Sequence, residues 1–215
     1  GAADPKLPRP AAPPAEPVMS RARCPRCERP LDHCLCALIP RVDNRTRVLL
    51  LQHPSEVGHA LNTARLAALG LINAELMVGE DFSGLDLSAW DAWLLFPGES
   101  ALVLGELAAR PVDKPRLLVV PDGTWRKARK LLHLNPNLAA LPRVVLPEGL
   151  TSRYRLRKAP AEGALSTIEA VAHALDALDA PQSHADLLRP FDALIEGQIA
   201  AMGEETFRRN HGPRC

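Results

Sequence analysis

No apolar run in this chain is long enough to cross a bilayer, which excludes a helical membrane span. The first twenty residues, rich in Pro and Ala, hold no continuous apolar stretch of the kind that forms an export signal. A cytoplasmic setting is therefore expected. Excess positive charge is nearly absent too: 26 Lys and Arg stand against 25 Asp and Glu, a net +1. That balance excludes a protein that is basic all over and binds nucleic acid by bulk charge. No internal repeat is present, which removes solenoid and propeller architectures. Tyr154 is the only tyrosine. The cysteines number five, and four of them crowd into one short segment, unlike the dispersed pattern of a disulfide scaffold.

What is present suits one compact α/β domain with a small appendage, given 215 residues of which 47% are hydrophobic. Residues 1–20 read as a flexible Pro/Ala-rich tail, 21–40 as a metal-binding motif, and 41–215 as the main domain with a C-terminal helix. Short strands are expected at Val48–His53, Glu75–Val78, Ala92–Phe96, Arg116–Val120 and Arg143–Leu146. Helices are expected at Glu56–Leu69, Ser100–Ala109, Thr124–Leu132, Ser166–Leu178 and Leu187–Met202. In the first of these, Val57, Ala60, Leu61, Ala64 and Ala68 recur at three- and four-residue steps and make one apolar face. Strands alternating with helices imply a mostly parallel sheet covered on both faces.

Three strand ends share a chemistry. Phe96-Pro97-Gly98-Glu99-Ser100, Val120-Pro121-Asp122-Gly123 and Leu146-Pro147-Glu148-Gly149 each pass from an apolar run through proline to glycine and a carboxylate. Proline stops the strand, and glycine lets the backbone approach a ligand closely. Leu117–Val120 is an unbroken aliphatic run, the mark of a central parallel strand, so Asp122, Thr124 and Trp125 fall at its carboxyl end. Open α/β sheets hold ligands there. Asp122-Gly123 turns the chain and is placed to cap a helix beginning near Thr124. Trp125 can stack on a base or pack its own helix into the core. Ser166-Thr167 before Ile168-Glu169 reads as a helix start whose amides can hold an anion, or which is simply capped.

The positive charge is local. Arg126, Lys127, Arg129 and Lys130 follow Trp125, while Arg153, Arg155, Arg157 and Lys158 surround Tyr154. Cations interleaved with an aromatic suit phosphate contact and base stacking. Arg45, Arg47, Asn62 and Arg65 are weaker candidates for the same face, and His53 reads as a turn residue.

Cys24, Cys27, Cys34 and Cys36 are spaced C-x2-C, six residues, C-x-C. Four thiolates close a tetrahedral site with no open position, which implies a structural Zn²⁺. His33 is an alternative ligand to Cys34 or Cys36, and the C-x-C pair is unlike ferredoxin spacings. Cys215 reads as a free thiol.

Asp122-x-Thr124-Trp125, the cluster CPRCERPLDHCLC and the segments LLLQHPSEVGHALNTARL, LLFPGESA and YRLRKAPAEGALSTIEA stand in the order seen in one family. From about Arg23 to His173 the chain resembles the DTW-domain family, the tRNA-uridine aminocarboxypropyltransferases. Gly123 fills the variable position of its defining motif. The resemblance implies a SPOUT-like sheet with a trefoil knot. It implies S-adenosylmethionine held by Pro97, Gly98, Asp122, Thr124, Trp125, Leu146, Ser166 and Thr167. Asp122 would accept the N3 proton of a tRNA uridine; on their charge and place, Arg47, Arg65, Arg126, Lys127, Arg129, Tyr154, Arg155, Arg157 and Lys158 are the candidate RNA contacts. No protein partner is inferable. The rival readings are a SPOUT-like RNA methyltransferase and a zinc-containing RNA-binding module without chemistry.

Overall fold

The computed structural model describes residues 22–153 and 165–211. Six strands form one sheet: β1 (Arg47–Gln52), β2 (Ala74–Val78), β3 (Asp91–Leu95), β4 (Leu102–Val103), β5 (Arg116–Pro121) and β6 (Arg143–Val145). Their spatial order is β2-β1-β5-β3-β6-β4, and every pairing is parallel. The α/β expectation therefore holds. Whether the chain is knotted depends in part on the course of residues 154–164, outside the described residues.

Alternation along the central strands builds two cores. Val48, Leu50, Leu118 and Val120 face one side. There they meet α1 (Thr63–Gly70), α2 (Leu104–Ala108), α5 (Thr167–Leu178) and α6 (Arg189–His211). Leu49, Leu51, Leu117 and Val119 face the other side, against Ala128, Leu131 and Leu132 of α3 (Trp125–Leu134) and Leu138 of α4 (Pro136–Ala139). All eight strand residues are 3% exposed or less. A strand apolar on both faces cannot sit at a solvated edge, which is why β1 and β5 take the centre. Truncating one of their leucines to alanine removes about 2–5 kcal/mol.

Two helices differ from the sequence expectation. Val57–Leu61 is not helical, and α1 begins only at Thr63, because Asn62 caps it by accepting the Arg65 amide. Asn62 also donates back to the Val57 carbonyl at 3.1 Å, so its side chain supports a turn where the periodicity promised helix. The expected helix Ser100–Ala109 is divided: Leu102 and Val103 pair with Val144 and Val145 as edge strand β4, and α2 starts at Leu104. The C-terminal helix is preceded by a 3-10 turn at Ala185–Leu188.

Buried carboxylates fasten the ends of α5. At its start, Ser166 and Glu169 make a reciprocal capping box. Glu169, 1% exposed, also accepts from the Ser152 hydroxyl at 2.6 Å and the Arg153 amide at 2.8 Å. Beyond its end, Asp179 accepts from the Arg45 and Thr46 amides and from the Thr46 hydroxyl, tying α5 to the start of β1.

Candidate active site

Neighbouring strands β1 and β5 send their helices to opposite faces, α1 to one and α3 to the other. The gap left at their carboxyl ends is where an α/β sheet opens to a ligand. Gln52 ends β1 and Asp122 follows β5 immediately. The Asp122 amide continues the ladder, donating to the Leu51 carbonyl at 2.8 Å, and so fixes the backbone below the carboxylate. Gln52 Nε2 donates to Asp122 Oδ2 at 2.9 Å and to Asn62 Oδ1 at 2.8 Å. The other carboxylate oxygen, Oδ1, accepts from Thr167 Oγ1 at 2.5 Å. Asp122 is thus held from β1 and from the first residue of α5, and Gln52 is held in turn by Asn62 in the turn before α1. Gln52 is only 1% exposed, and its Oε1 finds no partner among the described residues.

The expected cap is corrected here. Thr124, not Asp122, caps α3, with its hydroxyl accepting the Lys127 amide at 3.3 Å. Asp122 is released from capping because Gly123, at φ 107°, swings the chain into the left-handed region before Thr124. Trp125 is not core: it is 59% exposed, and its ring lies 5.4 Å from Phe96 at a tilt of 59°. The Arg143 guanidinium lies 5.6 Å from the Phe96 ring and donates to the Pro97 carbonyl at 2.8 Å. It also fills the space a side chain at Gly98 would need, since a Cβ there would meet Arg143 Cδ at 2.8 Å. Leu146, half-buried, follows β6 directly and packs against the core on the α1 side. Pro97 and Gly98 therefore lie on the turn after β3, Asp122 and Thr124 on the turn after β5, and Trp125 begins α3. Ser166 is committed to its capping box, while Thr167 reaches Asp122.

The basic candidates separate. Arg126, Arg129 and Lys130 are exposed along α3. Lys127 is ion-paired with Glu56 and donates to the Ser55 hydroxyl at 3.3 Å. Arg65 turns to the cysteine segment, its guanidinium donating to the Arg26 carbonyl at 3.1 and 3.0 Å and pairing with Glu28 at 3.4 Å. Arg47 begins β1, at the end of the sheet away from Asp122, where it bonds Asn73 and Glu75. Tyr154, Arg155, Arg157 and Lys158 lie outside the described residues. His53 is the turn residue expected, accepting the Ser55 amide at 3.0 Å and pairing with Glu80.

The four cysteines converge. Their Sγ atoms lie within 4.8 Å of one another, with Cys24–Cys36 at 3.6 Å and Cys27–Cys34 at 3.8 Å. A tetrahedral zinc ion with bonds of about 2.3 Å sets its sulfurs about 3.8 Å apart, so the residues fit that ion. His33 is not in the cluster; its exposed ring lies 3.7 Å from Asp32. Amides of Cys27 and Arg26 pull the Cys24 thiol down to about 6. Burial and the neighbouring thiols push Cys36 up to about 12. Thiolates packed this closely repel, and a cation at their centre lets all four ionise. Arg29 adds a second clamp to the domain, donating to the Ala60 carbonyl at 2.9 Å.

Sequence reasoning missed Gln52 as a site residue. The available signal was one amide closing a run of four aliphatic residues, Val48–Leu51, in a strand buried on both faces.

The family model for the DTW domain matches residues 21–199. The tRNA-uridine aminocarboxypropyltransferase 2 of Macaca fascicularis is 30% identical over 210 residues, covering 92% of this chain and 70% of that protein. Its namesake from Drosophila melanogaster is 32% identical over 201 residues, 86% of this chain and 78% of the relative. The tRNA-uridine aminocarboxypropyltransferase A of Arabidopsis thaliana is 29% identical over 193 residues, 74% of this chain and 73% of that protein. No solved structure matches. With a domain match that spans the cysteine cluster, the whole sheet and the Asp122 turn, the chain belongs to the DTW-domain family.

Proposed function

We propose that this protein is a tRNA-uridine aminocarboxypropyltransferase that transfers the 3-amino-3-carboxypropyl group of S-adenosylmethionine to N3 of a tRNA uridine. The observation that carries the reading is a carboxylate, Asp122, held by Gln52 and Thr167 at the open end of a parallel sheet. An RNA-binding module without chemistry has no use for a carboxylate fixed among strand-end turns, where it would repel phosphates. The relatives named for this activity support the same reading.

Pro97, Gly98, Thr124, Trp125 and Leu146 stand on the turns that would hold S-adenosylmethionine. The exposed indole of Trp125 offers a face for a purine. When bound, the donor supplies an electrophilic carbon beside a sulfonium that departs as neutral methylthioadenosine. The chain's own contribution is at N3. Asp122 accepts the N3 proton as the N–C bond forms and the C–S bond breaks, its electron pair staying on sulfur. General-base help of this kind contributes about 10²–10⁴-fold. Holding the donor carbon in line with N3 contributes further by orientation. Exposed Arg126 and Arg129 meet the RNA backbone. The Cys24–Cys36 cluster holds a structural zinc, consistent with the reduced thiols of a cytoplasmic protein.

The test is mass spectrometry of nucleosides from tRNA incubated with the protein and S-adenosylmethionine. An aminocarboxypropyl mass on uridine, with stoichiometric methylthioadenosine, is the expected result. A methyl increment would make the protein a methyltransferase, and unchanged nucleosides would make it a binding module.

A further inference from the structure

A second opening reaches Asp122 from the side opposite Trp125. Between the ends of β1 and β2 and the flank of α3 lies a cavity of about 120 Å³, walled by His53, Ser55, Asp122, Lys130, Leu131 and Leu134 among others. Cofactor sites occupy about 300–1,000 Å³, so this space is too small for S-adenosylmethionine and suits a single ring. Leu131 and Leu134 supply an apolar wall on α3. Lys127 and Lys130 share α3 with them, and His53, Ser55, Glu80 and Asp122 line the remaining walls.

We propose that this cavity receives the base of the target uridine, with its N3 edge on Asp122. The inference rests on the transferase reading above and adds to it where the acceptor sits. Uracil presents N3–H as a donor flanked by two carbonyl acceptors, so its complement is an acceptor flanked by donors. Each Asp122 oxygen accepts one described bond, from Gln52 or Thr167, and keeps a lone pair for N3–H. The Lys127 and Lys130 ammonium groups, each with three N–H donors, supply them from the cavity walls. The His53 ring holds Ser55 in place. Its Nδ1 accepts the Ser55 amide, so the ring proton lies on Nε2 and points to Glu80. Ser55 is thereby held at the rim, with its oxygen 2.7 Å from His53 Nδ1. Cytosine carries a lone pair at N3 in place of the proton and would set it against the Asp122 carboxylate. The same group that takes the proton therefore also rejects the wrong pyrimidine.

This places donor and acceptor on opposite sides of Asp122, the donor by Trp125 and the base by Ser55. Two exposed wall residues allow the cavity to be filled without disturbing the core: Ser55 and Leu134, the latter 49% exposed. The experiment compares Ser55→Phe and Leu134→Trp with the wild-type chain, in three measurements: product formation on tRNA, S-adenosylmethionine affinity by titration, and photocrosslinking to tRNA transcribed with 4-thiouridine in place of uridine. Each variant should lose about 100-fold in turnover, as misplacing a reactant does. Each should keep donor affinity within about twofold and lose a crosslink that the wild type forms within residues 53–56 or 125–134. Loss of donor affinity along with turnover would mean the cavity holds the donor, and full turnover in both variants would mean it holds neither; both overturn the proposal. Wild-type protein that forms no product at all overturns the transferase reading itself, an outcome separate from those two.

Discussion

Gln52 and Asp122 end neighbouring parallel strands and are joined across the gap by a 2.9 Å hydrogen bond from amide to carboxylate. The bond spans the point where the sheet sends one helix forward and the next behind. The Gln52 side chain is buried, so nothing in solvent can replace it.

Gln52→Ala should therefore cost stability as well as activity. It leaves Asn62 Oδ1 and Asp122 Oδ2 without their shared donor, a loss of about 1–3 kcal/mol. Urea denaturation should show a lower midpoint at unchanged slope. A midpoint equal to the wild type would mean the bond does not matter to folding.

Asp122→Asn should fold. Thr124 caps α3, so the substitution removes no helix cap. The new amide can accept from Gln52 with its oxygen and donate to the Thr167 hydroxyl, which is able to accept. Turnover should fall about 10²-fold or more, because the proton acceptor is gone. Raising the pH should recover part of it, since more of the uridine is then its own anion. Rates against pH for both proteins, with a thermal melt and a donor titration, check the prediction; equal rates would leave Asp122 a scaffold residue.

Metal analysis should find about one zinc per chain in colourless protein. Chelation should lower the melting temperature and loosen the neck of α1, because Arg29 and Arg65 anchor the cysteine segment to Ala60 and α1. Hydrogen exchange over residues 57–65 reads this directly. Protein without metal, or with a coloured cluster, would remove the structural-zinc assignment.

The basic residues should divide by function. Arg126→Ala and Arg129→Ala should each weaken tRNA binding and lessen its salt slope by about 1. Arg65→Ala should leave that slope intact and weaken metal retention, because its guanidinium holds the Arg26 carbonyl. Filter binding over a salt series, beside zinc content, separates the two.

Much of this was legible in the sequence for a physical reason. Buried parallel strands announce themselves as aliphatic runs, so β1, β3 and β5 are legible nearly to the residue, and Ser166-Thr167 marks the start of α5. Four thiols in a short segment have few places to go. Two-residue β4 is too short for any periodicity to register, and Val57–Leu61 carried a helical pattern that Asn62 overrode. Arg47 and Arg65 were read as RNA contacts by their charge alone. Their partners, Glu75 and the Arg26 carbonyl, lie 28 and 39 residues away, beyond the reach of local reading. Trp125 went unresolved because an indole at a helix start looks the same in sequence whether it faces inward or out.

The Glu169 carboxylate is a mooring for two separate stretches of this chain. It grips Ser152 and Arg153 on one side and Ser166 on the other, so the chain that leaves the sheet and the chain that enters α5 are moored to the same two oxygen atoms. The tether fixes the distance between those ends whatever lies between them. Thr167 therefore keeps its hold on Asp122 whatever the length of chain between the two ends.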